Sequence, residues 1–156
     1  MKLIEYDLKY KEDFIQFNKD WIVDNFGFLE DEDIKTFEEI DQELANGAMI
    51  YFAVEDDTAL ACCMAKPMEN GTWEICKLAS NKNRPHKGCG SVVFKAAVQW
   101  AIDHGAKRLF ILSNSRLKAA IHIYEKFGFN EIKLDDYEYV RGDIAFERII
   151  EAGVSF

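Results

Sequence analysis

A chain of 156 residues with 49% apolar content fits one domain with a full hydrophobic core. Its formal charge of −9 argues against nucleic acid as a partner and favours cationic ligands. No apolar run is long enough to span a membrane. The opening Met1-Lys2-Leu3-Ile4-Glu5 also lacks the apolar stretch of a signal peptide, so a cytoplasmic protein is expected.

Leu3 to Tyr6 reads as a first strand. Tyr10, Phe14, Phe17 and Trp21 then recur at steps of four, three and four, which is one face of an amphipathic helix. Asp31 to Asp33 place acid in the first turn of a second helix. Its predicted buried stripe is Ile34, Phe37, Ile40 and Leu44, and Asn46-Gly47 stops it. Met49 to Val54 and Ala59 to Ala65 form a hairpin around Asp56-Asp57, and Asn70-Gly71 leads into a third apolar strand, Trp73 to Ala79. The next helix runs from about Gly90 to His104, buried through Val93, Ala97, Trp100 and Ala101. Leu109 to Leu112 is a short buried strand, with Ser113-Asn114-Ser115 as the following turn and helix start. Leu117, Ala120, Ile121 and Tyr124 line one face of that helix, and Gly128 is placed to cap it. Phe129 opens a strand into Leu134, and a last strand lies near Tyr139 to Phe146. This order predicts a mixed α/β domain over residues 1–156, with helices on both faces of its sheet. The strands flanking the Gly90 helix should be parallel neighbours, because a helical crossover joins them.

Cys62, Cys63, Cys76 and Cys89 form no Cys-x-x-Cys pair and read as reduced, mostly buried thiols. His86, His104 and His122 lie far apart, so no metal is expected.

Between Glu74 and Asp103 this acidic chain has no Asp or Glu at all, while Lys77, Lys82, Arg84 and Lys87 all fall inside the gap. The gap contains Gly88-Cys89-Gly90-Ser91 at a helix start. A cationic turn feeding a helix N-terminus suits phosphate, because backbone N–H groups and the helix dipole both favour negative charge there. Lys87 precedes Gly88, which excludes a nucleotide P-loop. Val93 stands where a dinucleotide fingerprint needs its third glycine. A hydroxyl on the buried face of a helix needs a partner, and at Tyr124 a ligand can supply one.

Three segments, in this order, carry a family resemblance: Trp73-Glu74-Ile75, Arg84-Pro85-His86-Lys87-Gly88-Cys89-Gly90 and Ala120-Ile121-His122-Ile123-Tyr124-Glu125-Lys126-Phe127-Gly128-Phe129. Together they resemble the GNAT superfamily of acetyl-CoA-dependent N-acetyltransferases. The chain departs from the family pattern at Pro85, which has no N–H to offer a phosphate, and at Leu117, where an Asn is frequent and the nearest here is Asn114.

The resemblance implies the GNAT acyl-CoA fold, a mostly antiparallel sheet in which the strands flanking the Gly90 helix splay to admit the pantetheine arm. It implies acetyl-CoA as co-substrate, with pantetheine pairing along Leu78, Ala79 and Ser80. Pyrophosphate is expected over Lys87, Gly88, Cys89, Gly90 and Ser91, with Arg84, His86, Asn114 and Tyr124 as further contacts. It also implies a leaving thiolate protonated by Tyr124, an oxyanion donor at the Leu78 N–H, and Glu74, fourteen residues before Gly88, as base for an amine whose ordinary pKa is ~10.4. The expected acceptor is a primary amine, cationic in view of the acidic clusters at Glu30 to Asp33, Glu55 to Asp57 and Asp135-Asp136. A homodimer is left open. Two alternatives stand beside this reading: a GNAT-fold module that holds acyl-CoA without turnover, and a generic nucleotide-binding domain.

Overall fold

A computed structural model describes residues 1–134 and 142–151. The chain opens with strand β1 (Lys2–Glu5), a 3₁₀ turn (Leu8–Tyr10) and helix α1 (Lys11–Phe26), followed by α2 (Asp31–Glu38) and α3 (Ile40–Ala45). Three strands follow: β2 (Met49–Glu55), β3 (Thr58–Pro67) and β4 (Thr72–Ser80). The chain then runs through α4 (Cys89–Asp103), β5 (Arg108–Ser113), α5 (Lys118–Lys126), β6 (Asn130–Ile132) and β7 (Ile144–Ile149).

The seven strands form one sheet in the order β1-β2-β3-β4-β5-β7-β6. Every pairing is antiparallel except β4 with β5, the pair joined through α4. The parallel neighbours and the two-sided helical cover agree with the sequence reading. On one face, Val93, Phe94 and Ala97 of α4 and Tyr124 of α5 pack on Ala61, Cys63, Trp73 and Ile75. On the other, Phe14 and Phe17 of α1, Phe37 of α2 and Ile40 of α3 pack on Ile50, Phe52, Cys62 and Met64. The central strands are therefore buried on both sides, which explains why β2 and β3 read as unbroken apolar runs rather than alternating ones.

Three expectations are corrected. The helix expected after Asp31 is two helices, interrupted at Glu39 (φ −103°, ψ 14°); Phe37 and Ile40 are buried, but Ile34 is 44% exposed. Helix α5 starts at Lys118 because Asn114 holds the preceding turn: its Oδ1 accepts from the Arg116 N–H at 2.8 Å, and its carbonyl accepts from the Leu117 N–H at 3.0 Å. The last strand is Ile144–Ile149, later than expected; residues 139–141 of the predicted strand lie outside the described residues. Gly128 does adopt the left-handed conformation at the end of α5, with φ 85°.

Candidate active site

Strands β4 and β5 pair only over Thr72↔Arg108, Trp73↔Leu109 and Glu74↔Phe110, and then part. The separation has a local cause. Against β3, Cys62 faces Ala79 and Met64 faces Cys76, so β4 carries one residue more than β3 over that interval. Lys77 adopts φ 55° there. Such a bulge bends its strand and re-aims side chains. The gap that opens is a cavity of about 490 Å³.

Its walls come from five elements. Ile75, Cys76, Lys77, Leu78 and Ser80 line it from β4, and Ile111, Leu112 and Ser113 from β5. Gly90 and Phe94 contribute from α4, Ile123 and Tyr124 from α5, and Trp21 from α1. Asn18, fully buried, fixes Trp21 by accepting from its indole N–H at 3.0 Å.

Tyr124 lies on the cavity wall with its ring 5.5 Å from that of Phe94 and 5.4 Å from that of Phe146. Burial pushes its hydroxyl up to about 12, and the neighbouring Ser113 hydroxyl offsets part of that rise. Ser113 Oγ is itself buried, with no well-aligned hydrogen-bond partner among the described residues. A buried hydroxyl without a partner is costly, so a polar ligand in the cavity would fit it. The sequence marks Ser113 only as part of a turn, because a lone Ser after an apolar run gives no stronger signal.

The expected phosphate loop leads into the start of α4. Gly88 caps that helix with φ 87°, and no acid stands in the first turn. The Gly90 and Ser91 N–H groups make no hydrogen bond back into the loop among the described residues. Cys89 is buried, its thiol turned toward the Leu60 carbonyl at 3.9 Å, which leaves only its backbone for a ligand.

The loop's cations are less available than the sequence implies. Arg84 pairs with Glu55 at 3.4 Å and Asp56 at 3.2 Å, His86 Nε2 lies 3.5 Å from Glu55, and Lys82 pairs with Asp24 at 3.2 Å. Lys87 has no ion pair among the described residues. A segment free of acid in sequence is thus partly neutralised by acid from elsewhere in the fold.

The structure does not bring every expected residue to the cavity. Leu78 and Ser80 line it, whereas Ala79 packs into the opposite core. Asn114 lines it with its Oδ1 engaged by the Arg116 turn. Glu74 is not among the lining residues; it is 7% exposed and pairs with Lys66 at 3.7 Å. No carboxylate of the expected acidic clusters is among the described lining residues, although Asp33 pairs with Lys77, which is one of them. Glu55 to Asp57 face Arg84 and Lys9, and Asp33 is buried against Lys77 at 3.4 Å. Asp135-Asp136 lie outside the described residues. No helix of the described residues is long and apolar enough to cross a membrane.

Comparison with known proteins agrees with this geometry. The model of the acetyltransferase (GNAT) family matches residues 14–129. The chain belongs to the acetyltransferase (GNAT) family. The uncharacterised N-acetyltransferase YobR of Bacillus subtilis (strain 168) is 25% identical over 91 residues, a match that spans 58% of this chain and 37% of that relative. A GNAT-family acetyltransferase from Staphylococcus aureus Mu50 superposes with TM-score 0.84 at 18% identity, covering 96% of this chain and 99% of that one. The PaiA N-acetyltransferase from Thermoplasma acidophilum, solved with coenzyme A, gives TM-score 0.72 at 18% identity, covering 96% and 100%. YncA from Salmonella typhimurium, a putative acetyltransferase solved with acetyl-CoA, gives 0.79 at 11%, covering 99% and 96%. At these identities the likeness is one of fold.

Proposed function

We propose that this GNAT protein, acting through a single domain, is an N-acetyltransferase that joins the acetyl group of acetyl-CoA to a primary amine by direct attack in a ternary complex. The observation that carries the proposal is the opening between β4 and β5, lined by Tyr124 and Ser113 with their neighbouring hydroxyls and reaching the start of α4 at Gly90. That shape suits a thin chain ending in a phosphate group, and two acetyltransferases of similar fold were solved with coenzyme A or acetyl-CoA.

Acetyl-CoA supplies an activated thioester carbonyl. Around it, the free N–H groups of Gly90 and Ser91 receive pyrophosphate, with Lys87 the cation left to assist. Leu78, just past the bulge, offers its N–H to the negative charge that grows on the carbonyl oxygen. As the amine nitrogen bonds to the acyl carbon, the carbon–sulfur bond breaks. The sulfur takes a proton from Tyr124, the amine loses one to water, and solvent restores Tyr124. An acid held at about 12 is weak against a thiol with an ordinary pKa of ~8.5, but a thiolate in the same buried space is raised by the same desolvation. Glu74 can serve as base only through water, because Lys66 sits on it and the cavity wall begins one residue later, at Ile75.

The test is release of free thiol from acetyl-CoA with a panel of amines, and mass spectrometry of the product. Tight CoA binding with no thiol release from any amine would identify a non-catalytic acyl-CoA-binding module instead.

A further inference from the structure

The described lining of the cavity contains three cations, Lys77, Arg116 and Lys118, and no carboxylate, in a chain of charge −9. The three are not equivalent. Lys77 is neutralised by Asp33 at 3.4 Å, both side chains being buried. Lys118 opens α5, the helix whose Ile123 borders Gly90 of α4. Arg116 reaches α1. Its Nη1 donates to the Asn25 carbonyl at 3.0 Å, and its guanidinium lies 5.4 Å from the centroid of the Phe26 ring. The same helix presents Trp21 to the cavity.

Arg116 forms no ion pair among the described residues. The Asp143 carboxylate feels its charge, but both Asp143 oxygens are engaged by Ser115, one by the N–H and one by the hydroxyl, each at 2.8 Å. A guanidinium has five N–H donors in a fixed plane, and a single bond to Asn25 leaves most of that plane for a planar anion. Resting on the acetyltransferase reading, we infer that the acceptor is a small amine that also carries a carboxylate, in the simplest case a free amino acid, and that Arg116 receives that carboxylate.

With Lys77 paired to Asp33 and Arg116 taken up by the acceptor's carboxylate, the described lining offers the amine no carboxylate base, so its proton leaves through water. A polyamine or a simple alkylamine has no carboxylate to set against Arg116 and meets only its repulsion. The acidity of the whole chain predicted a cationic acceptor; the lining predicts the reverse.

The experiment compares amino acids with the matching amino-acid amides, and with spermidine, by thiol release. The parent should favour the acid over the amide by tenfold or more in kcat/KM. Arg116→Gln should lower kcat/KM for the acid by ten- to a hundredfold, through KM, and for the amide by less than threefold. Arg116→Lys should keep part of the preference. A parent that prefers the amide or spermidine overturns the inference while leaving the acetyltransferase reading intact. Equal losses on acid and amide in Arg116→Gln also overturn it, since Arg116 would then only cap α1. If Arg116→Gln fails to bind CoA by calorimetry, the parent's acid-to-amide ratio and the Arg116→Lys variant decide. No thiol release with any amine overturns both readings.

Discussion

Replacing Tyr124 with Phe removes one oxygen and leaves the packing in place, because the ring contacts at 5.5 Å to Phe94 and 5.4 Å to Phe146 do not involve the hydroxyl. Losing a poorly bonded hydroxyl should change stability by about 1 kcal/mol or less. Positioned acids contribute roughly 10²–10⁴-fold. The lower end applies here, because a hydroxyl pushed up to about 12 is a weak donor to the departing sulfur. We therefore expect kcat to fall about a hundredfold. The dissociation constant for CoA, measured by calorimetry, should change less than about threefold, because the phosphate contacts are untouched. Turnover at the parental rate would make Tyr124 a core aromatic only. The raised pKa carries a second consequence. With an ordinary value of 10.0 unfolded and about 12 folded, Tyr124 adds stability that is complete below pH 10 and is lost as pH rises through 12. At pH 11 the parent should have lost about 1.4 kcal/mol relative to its own margin over the Phe variant at pH 8. A margin that stays constant in denaturant unfolding between those two pH values would refute the buried, neutral tyrosine.

Gly88→Leu should weaken CoA binding tenfold or more while the fold survives: an added Cβ meets nothing within 4 Å, and the left-handed φ of 87° costs about 1–2 kcal/mol. Unchanged affinity in calorimetry would remove pyrophosphate from this loop. Lys87→Ala should weaken CoA binding more than Arg84→Ala, and more so at low salt, because Arg84 is already paired with Glu55 and Asp56. The opposite order would mean that CoA displaces those carboxylates. Glu74→Gln should lower kcat/KM by less than about tenfold and leave the acidic limb of the pH–rate profile in place. A hundredfold loss would restore Glu74 as the base.

Much of the fold was legible because its elements carry strong local signals. The runs at Met49 and Ala59 are strands buried on both faces, and the parallel placement of β4 and β5 follows from the helix between them. What was not legible depends on partners distant in sequence. The break at Glu39 and the exposure of Ile34 reflect how two short helices settle on the sheet, which a periodic stripe cannot report. Likewise the late start of α5 is set by the side chain of Asn114, which bonds the backbone before the helix can.

The site divides along the same line. The buried place of Tyr124 on α5 and the glycine turn before α4 could be anticipated because each couples a residue type to an element, a hydroxyl on a buried stripe and a glycine before a helix. Charge could not be read that way, since a charged side chain extends several ångströms from its own segment. The turn at Glu55-Asp56 reaches Arg84 and His86, Asp24 reaches Lys82, and Asp33 reaches Lys77, so four of the five groups Lys77, Lys82, Arg84, His86 and Lys87 have carboxylates that the local sequence does not contain. Conversely, the net charge of −9 says nothing of a cavity whose described lining holds only cations. Net charge sets the field at a distance, where salt screens it within about 8–10 Å. Inside a narrow opening the nearest groups decide. We infer that the choice of acceptor follows from Arg116 and the Asp33-paired Lys77 on the cavity wall rather than from the acidic exterior.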